Sequence, residues 1–175
     1  RTLRESCRLS GHEAQLVFHC EQVVLDRALL AALSHPLLHL IRNAVDHGIE
    51  SPEIREAIGK PRQGTVEISV HQHDEQLDIC VADDGRGIDP TEVRRRAVSG
   101  HFVTEAEAAA LDDRGIHALL LRSGFSTAEK VTELSGRGVG LDVVSTVITA
   151  LAGQLEISST LGSGCCFRLT IPLGH

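Results

Sequence analysis

At 175 residues the chain is sized for one domain, or one domain with a large insertion, and its 42% hydrophobic content is ordinary for a chain that buries a full core. It has no Trp, Tyr or Met and only four Phe, so that core is aliphatic. The formal charge of −7 argues against nucleic acid or an anionic membrane as the main partner. No apolar run approaches the length of a membrane span, and no leader sequence is visible. Five Cys without Cys-x-x-Cys spacing signal neither a zinc site nor a disulfide framework, so reduced thiols in a cytoplasmic protein are expected. Beginning at Arg1 rather than Met, the chain reads as a piece of a longer protein.

Residues 1–14 are polar and without pattern, as in a linker or a frayed edge. Residues 15–20 suit a short strand. Asp26 is placed to cap a helix carrying Ala28, Leu29, Leu30, Ala32 and Leu33, and Pro36 is expected to interrupt it and start another. In that second helix, at 100° per residue, Leu37, Leu38, Leu40, Ile41, Ala44 and Val45 share one side. His39, Arg42, Asn43, Asp46 and His47 share the other, with 39, 43 and 47 in consecutive turns, and Gly48 ends the helix. Ser51-Pro52 opens a short helix to about Ile58. Val66, Ile68 and Val70, then Leu77, Ile79 and Val81, alternate with polar residues around a turn at 73–76, an antiparallel hairpin with one apolar face. The second strand runs into Asp83-Asp84-Gly85-Arg86-Gly87-Ile88.

Asp89-Pro90 caps the next helix, to about Ser99, and Thr104-Glu105-Ala106-Glu107 is a capping box. Ile116, Leu119 and Leu120 mark a further helix. So many short pieces between 100 and 136 indicate a mobile excursion from the core. Gly136, Gly138 and Gly140 lead into a helix with Val143, Val144, Val147, Ile148 and Leu151. Leu155 and Ile157 mark a strand, Gly162-Ser163-Gly164 a turn, and Cys165, Phe167, Leu169 and Ile171 one face of a last strand. The order predicts an α+β sandwich, a mixed sheet with helices on one face.

Three stretches place glycines with acidic or amide groups at element ends: 39–48, 83–87 and 136–140. Asn43 offers a neutral oxygen ligand of the kind Mg²⁺ takes. Asp83, at a strand end, can accept a hydrogen bond from an exocyclic amine such as that of adenine. Gly85 and Gly87 either let a flat ring approach the backbone or simply make a tight strand-to-helix turn. Bare amides at 136–140 suit phosphate, or form a joint before a helix. The spacing matches neither a Rossmann nor a P-loop fingerprint.

In this order, the stretch from His39 to Glu50, Asp83-Asp84-Gly85-Arg86-Gly87-Ile88, Gly124-Phe125-Ser126-Thr127 and the run from Ser135 to Val144 resemble the N box, G1 box, lid and G2 box of the chemotaxis-type (CheA) histidine kinases, relatives of gyrase, HSP90 and MutL. The resemblance runs from about Leu16 to Leu173. It implies a two-layer Bergerat fold over 15–175, with a mobile ATP lid at about 100–136. It further implies transfer of the γ-phosphate of Mg·ATP to a histidine on a separate phosphotransfer domain. On that reading Asn43 holds Mg²⁺ and Asp83 recognises the adenine amine. Asp46, Gly85, Gly87, Ile88, Arg96, Ser126, Thr127, Gly136, Arg137, Gly138, Val139, Gly140 and Leu141 complete the nucleotide site. Gyrase and HSP90 relatives carry a water-activating Glu where this chain has His39. That favours transfer over hydrolysis and makes His39 and His47 the candidate catalytic residues, either of which could instead be a polar helix-face His bonded to its neighbours.

Three positions depart from the family pattern. Glu92 stands near a customary Lys, Leu141 replaces a common Met, and Cys165-Cys166 stand where Thr is usual, Cys165 reading as a small core residue. Glu92 keeps open a regulatory module that binds nucleotide without transferring phosphate. The implied setting is two-component chemotaxis signalling in the cytoplasm. A response regulator and a receptor-coupling protein would be engaged through other domains, and a dimer formed through helices outside this chain.

Overall fold

The computed structural model describes residues 2–21, 23–125 and 140–173. The chain divides into two compact units, Arg1–Gly87 with Val147–His175, and Ile88–Thr146.

The first unit is built on a five-stranded mixed sheet in the order β1-β2-β3-β5-β4. The strands are β1 (Ala14–Cys20), β2 (Gly64–His73), β3 (Gln76–Asp83), β4 (Gln154–Thr160) and β5 (Gly164–Pro172). Only the β1–β2 pair is parallel. The register opposes Ile68 with Val81, Val81 with Phe167, Ile79 with Leu169 and Leu77 with Ile171. These residues therefore share one face, and all are buried. Burying such a row against helices is the main stabilising term of a sheet with one wet face.

Three helices belong wholly to this unit: α1 (Thr2–Ser10), α2 (Arg27–Asn43) and α3 (Pro52–Ala57). Asp26 caps α2 as expected, accepting from the Leu29 N–H at 2.7 Å. Ser51 caps α3. Three features differ from the expected pattern. Residues 2–10, unpatterned in sequence, form α1. Pro36 does not interrupt α2, because its ring is buried on the inner side with Leu33, Leu40 and Ile41, and that burial offsets the missing hydrogen bond. Leu38, expected on the apolar side, is 45% exposed. Counted through Pro36 and the turn that follows, Arg27–Gly48 is 22 residues of continuous helix whose most apolar 18-residue window has mean hydropathy 1.2, long and apolar enough by composition to cross a membrane. Here Leu33, Leu40, Ile41 and Val45 are buried in the unit's core.

Past Asn43 the helix changes pitch, and Ala44–Gly48 is a π-helical turn. The Ile49 amide bonds Ala44 O at 2.7 Å, five residues back. Such turns inside α-helices concentrate at functional sites.

The expected reduced thiols are not what the structure shows. Cys80 and Cys166 form a disulfide. Cys80 pairs with Arg168 and Ala82 with Cys166 across β3 and β5, so the two cysteines are diagonal neighbours on the outer face. Cys7, Cys20 and Cys165 are free.

The second unit carries α4 (Pro90–Ser99), α5 (Glu105–Ala110), α6 (Asp113–Leu120) and the start of α7 (Leu141–Ala150). Asp89 caps α4, and the Thr104–Glu107 box closes on itself to open α5. Arg94 donates to Ala108 O and Leu111 O, satisfying carbonyls at the end of α5. Phe102 and Phe125 meet edge to face at 5.2 Å.

One polar network fastens the first unit. The Arg55 guanidinium is fully buried and donates to Glu50 Oε2 at 2.9 Å, Asp84 Oδ2 at 2.9 Å and Pro61 O at 2.7 Å. Lys60 Nζ donates to Glu50 Oε1, Asp84 O and Gly85 O. Burial works to raise the Glu50 carboxyl, but the bonds from Lys60 and Arg55 outweigh it and hold it below its usual value. Replacing one partner of a buried ion pair strands the other charge, at a cost of about 3–5 kcal/mol. Arg55→Leu should lower the urea-unfolding free energy by about that amount, and a loss under about 1 kcal/mol would place it with exposed pairs.

Candidate nucleotide-binding site

Strand β3 turns Leu77, Ile79 and Val81 inward, and at the same period the next inward residue is Asp83. A carboxylate thus ends an apolar row. It accepts the Gly85 N–H at 2.9 Å and is bonded by the Cys165 backbone. Burial pushes its pKa up from 3.8 to about 6; the two backbone bonds pull it down, and the nearby charges of Asp84 and Glu50 add to the rise. Beside it, burial and the Asp83 charge push the Cys165 thiol up to about 12, so it stays protonated. Cys165 is buried, as expected of a small core residue.

The loop after β3 is packed to backbone contact. A Cβ at Gly85 would overlap the Gly48 carbonyl, and one at Gly164 would overlap the Asp83 carbonyl. At Gly87 a Cβ would lie 2.5 Å from Thr160 O. Gly85 and Gly87 are therefore required by the chain's own packing, whatever ligand approaches them. Arg86 ties this loop to the helix end, its amide donating to Gly48 O at 2.9 Å and its Nε to His47 O at 2.8 Å.

Asn43 is the last residue of α2, partly buried, with His39 one turn earlier and His39 Nε2 shielded from solvent. His47 lies in the π-turn and is exposed. The change of pitch takes His47 off the strip that 39 and 43 share, so the three are not stacked in consecutive α-turns as the sequence spacing predicts. Burial raises the Asp46 carboxyl, while the charges of His47, Arg42 and His12 oppose the rise.

The structure thus brings Gly48, Asp83 and Gly85 together at the π-turn that follows α2, with Gly87 two residues further on, against Thr160. Ile88, Arg96, Gly140 and Leu141 belong to the second unit. There the Arg96 guanidinium is engaged by Glu92, which also binds Arg95 at 2.7 Å. Those two bonds hold the Glu92 carboxyl down at about 2. Gly140 precedes α7, and Leu141 is its first residue. Ser126, Thr127, Gly136, Arg137, Gly138 and Val139 lie outside the described residues.

Sequence reasoning missed Arg55, Lys60 and His12, and gave no role to Glu50 and Asp84, which it quoted only as members of the two motifs. Their charges and donors carry no local spacing, and only the fold joins them. Chemically, the arrangement offers an acceptor at the end of an apolar row, suited to a flat ring bearing an N–H donor. An amide oxygen at a helix end adds a ligand suited to a hard cation.

Residues 31–175 match the family described as histidine kinase-, DNA gyrase B- and HSP90-like ATPases. The chain is 44% identical over 172 residues to a gliding motility regulatory protein of Myxococcus xanthus, covering 98% of this chain and 22% of that protein. It is 41% identical over 173 residues to the chemotaxis protein CheA of Halobacterium salinarum, covering 99% of this chain and 26% of that one. The chain therefore spans about a quarter of the length of these relatives. In fold it resembles a blue-light activated histidine kinase of Erythrobacter litoralis, with TM-score 0.54 at 15% identity, covering 99% of this chain and 40% of that one.

The raised Asp83 pKa has a stability consequence. Between 3.8 and about 6 the folded chain holds a proton that the unfolded chain has released. The Asp83 contribution therefore favours folding at low pH and is lost as pH rises through about 6. Asp83→Asn removes that loss. Relative to the parent, the variant should gain about 1–3 kcal/mol between roughly pH 4 and pH 7.5. Urea titrations at the two pH values check it, and a pH-independent difference contradicts the buried carboxylate.

Proposed function

The chain belongs to the family of histidine kinase-, DNA gyrase B- and HSP90-like ATPases, and from that membership we propose that it is the ATP-binding catalytic domain of a CheA-like histidine kinase. It passes the γ-phosphate of Mg·ATP to a histidine on a separate phosphotransfer domain. The observation that carries the reading is Asp83, a carboxylate at the end of an apolar strand face with Gly48 and Gly85 packed against it. An adenine ring at the end of that row donates an N–H of its exocyclic amine to Asp83. His39 and Asn43 sit one turn apart on α2, so both can face one triphosphate. The amide oxygen of Asn43 would hold Mg²⁺, a cation that prefers oxygen ligands and would offset the phosphate charge. His39 and His47 would orient the γ-phosphate and the acceptor. Ser126, Thr127 and 136–140, with Asp46, Ile88, Arg96 and Leu141, complete the nucleotide contacts.

The catalytic unit on this reading is 15–175, with residues 1–14 leading into it and about 100–136 as the lid. The relatives named CheA support a cytoplasmic signalling protein whose other domains supply the phosphoacceptor, the dimer contacts, and docking for a response regulator and a receptor-coupling protein. A second reading, a module that binds nucleotide to order its lid without transfer, is favoured by Glu92, which occupies both Arg95 and Arg96.

Phosphotransfer to an added histidine domain separates the readings. The parent should label that domain in trans, slowly without a tether's effective concentration, and should not label itself. Asn43→Ala should lose Mg²⁺-dependent nucleotide binding. His39→Ala should keep much of it and lose transfer by about 10²–10⁴-fold, the usual worth of a positioned acid–base group. Stable self-labelling, or transfer by His39→Ala at the parent's rate, contradicts the assignment.

A further inference from the structure

The π-turn after Asn43 leaves one carbonyl to account for. In a continuous α-helix the Ile49 amide would bond Val45 O. Here it bonds Ala44 O instead, releasing the Val45 carbonyl, and Val45 is fully buried. A buried carbonyl without a donor is costly, so something must replace the amide. The replacement is His12, whose Nδ1 lies 2.7 Å from Val45 O. A carbonyl only accepts, so the proton is assigned to Nδ1.

His12 is itself held in place. It follows the end of α1, where the Gly11 amide bonds Cys7 O at 3.0 Å and Gly11 adopts a φ of +73°. The His12 amide bonds Ser10 Oγ, which in turn donates to Ser6 O. The π-turn is thus gripped from two sides. His12 takes the carbonyl of Val45, and Arg86 takes those of His47 and Gly48. A Cβ on Gly48 would lie 3.0 Å from Asp83 Oδ1, so the position of this turn sets the wall beside the Asp83 carboxylate.

We propose that His12 is a positioning residue of the nucleotide site: its imidazole N–H stabilises the π-turn and so seats the Gly48 backbone against Asp83. A turn that reverted to α-helical bonding would return the Ile49 amide to Val45 O, rotate residues 46–48, and withdraw the Gly48 carbonyl from the Arg86 amide. His12 acts through this turn and touches no substrate. The inference rests on reading 39–48 and 83–87 as the nucleotide site.

Two variants of similar bulk test it. In His12→Asn the side-chain amide nitrogen replaces Nδ1 and can still donate, whereas His12→Leu cannot. Amide hydrogen exchange of the nucleotide-free chain reads the turn directly. At Arg86, whose amide loses the Gly48 carbonyl when the turn reverts, exchange should quicken by about tenfold in His12→Leu and stay within about twofold of the parent in His12→Asn. Calorimetric affinity for Mg·ATP should fall about five- to tenfold in His12→Leu and hold within about twofold in His12→Asn. Ile171→Val, a modest core destabilisation at the far end of the β3–β5 ladder, should leave affinity within about twofold. Unchanged exchange in His12→Leu overturns the proposal, as does a His12→Asn variant as impaired as His12→Leu. An affinity loss in Ile171→Val equal to that in His12→Leu also overturns it, since it would mark general destabilisation. Should His12→Leu not fold, His12→Ser, too short to reach, takes its place in every comparison. A parent that binds no Mg·ATP contradicts the nucleotide reading itself, and the exchange result then decides the role of His12 by itself.

Discussion

The carbonyl of Gly48 fills the space that a side chain at position 85 would need, and it accepts the amide of Arg86. This backbone-to-backbone contact joins the end of the long helix to the loop after β3. Asp83 takes its place from it, because Gly48 forms one side of the carboxylate's surroundings and Gly85 donates to the carboxylate. Gly164 lets β5 approach from the other direction, against the Asp83 carbonyl. Arg55 and Lys60 then hold the outside of the same loop through Asp84, Gly85 and Glu50. Every fastening converges on a stretch of loop with little side-chain bulk of its own.

The first unit places a carboxylate at the end of an apolar face, where burial disfavours its charge. An Asn or a hydrophobe would serve the folded state better at neutral pH. Such a conflict between local stability and chemistry is expected where a protein binds something. A ligand donor aimed at the carboxylate would add to the hydrogen bonds it accepts from the Gly85 and Cys165 backbone. The π-turn shows the same logic in backbone form: regular helix bonding is given up, and His12 and Arg86 satisfy the carbonyls that result.

What was legible in the sequence was local. Asp26, Ser51, Asp89 and Thr104 announced helix starts because a cap needs only a side chain and an amide two or three residues on. The period-two rows of β2, β3 and β5 announced one face of the sheet, and Asp83 fell in line with Leu77, Ile79 and Val81. What was illegible depends on partners distant in the chain. Pro36 obeys a local rule for stopping a helix, but its burial overrides that rule. The pitch change at Ala44–Gly48 is set by His12 and Arg86, from opposite sides of the turn in sequence. The Cys80–Cys166 pair, 86 residues apart, becomes visible only through strand register. The motifs at 39–48 and 83–87 pointed to the family match over 31–175, yet the Arg55 and Lys60 network behind them carried no motif.

The central claim is that the Asp83 carboxylate reads the exocyclic amine of adenine. The most direct measurement compares calorimetric affinities for Mg·ATP and Mg·ITP, which differ at that position by an amine donor against a carbonyl acceptor. A carbonyl there sets acceptor against acceptor where the amine supplies a donor, so at about pH 7.5, with Asp83 ionised, ATP should bind more tightly by about 1.5–3 kcal/mol, tenfold or more. Equal affinities for the two nucleotides would contradict the account.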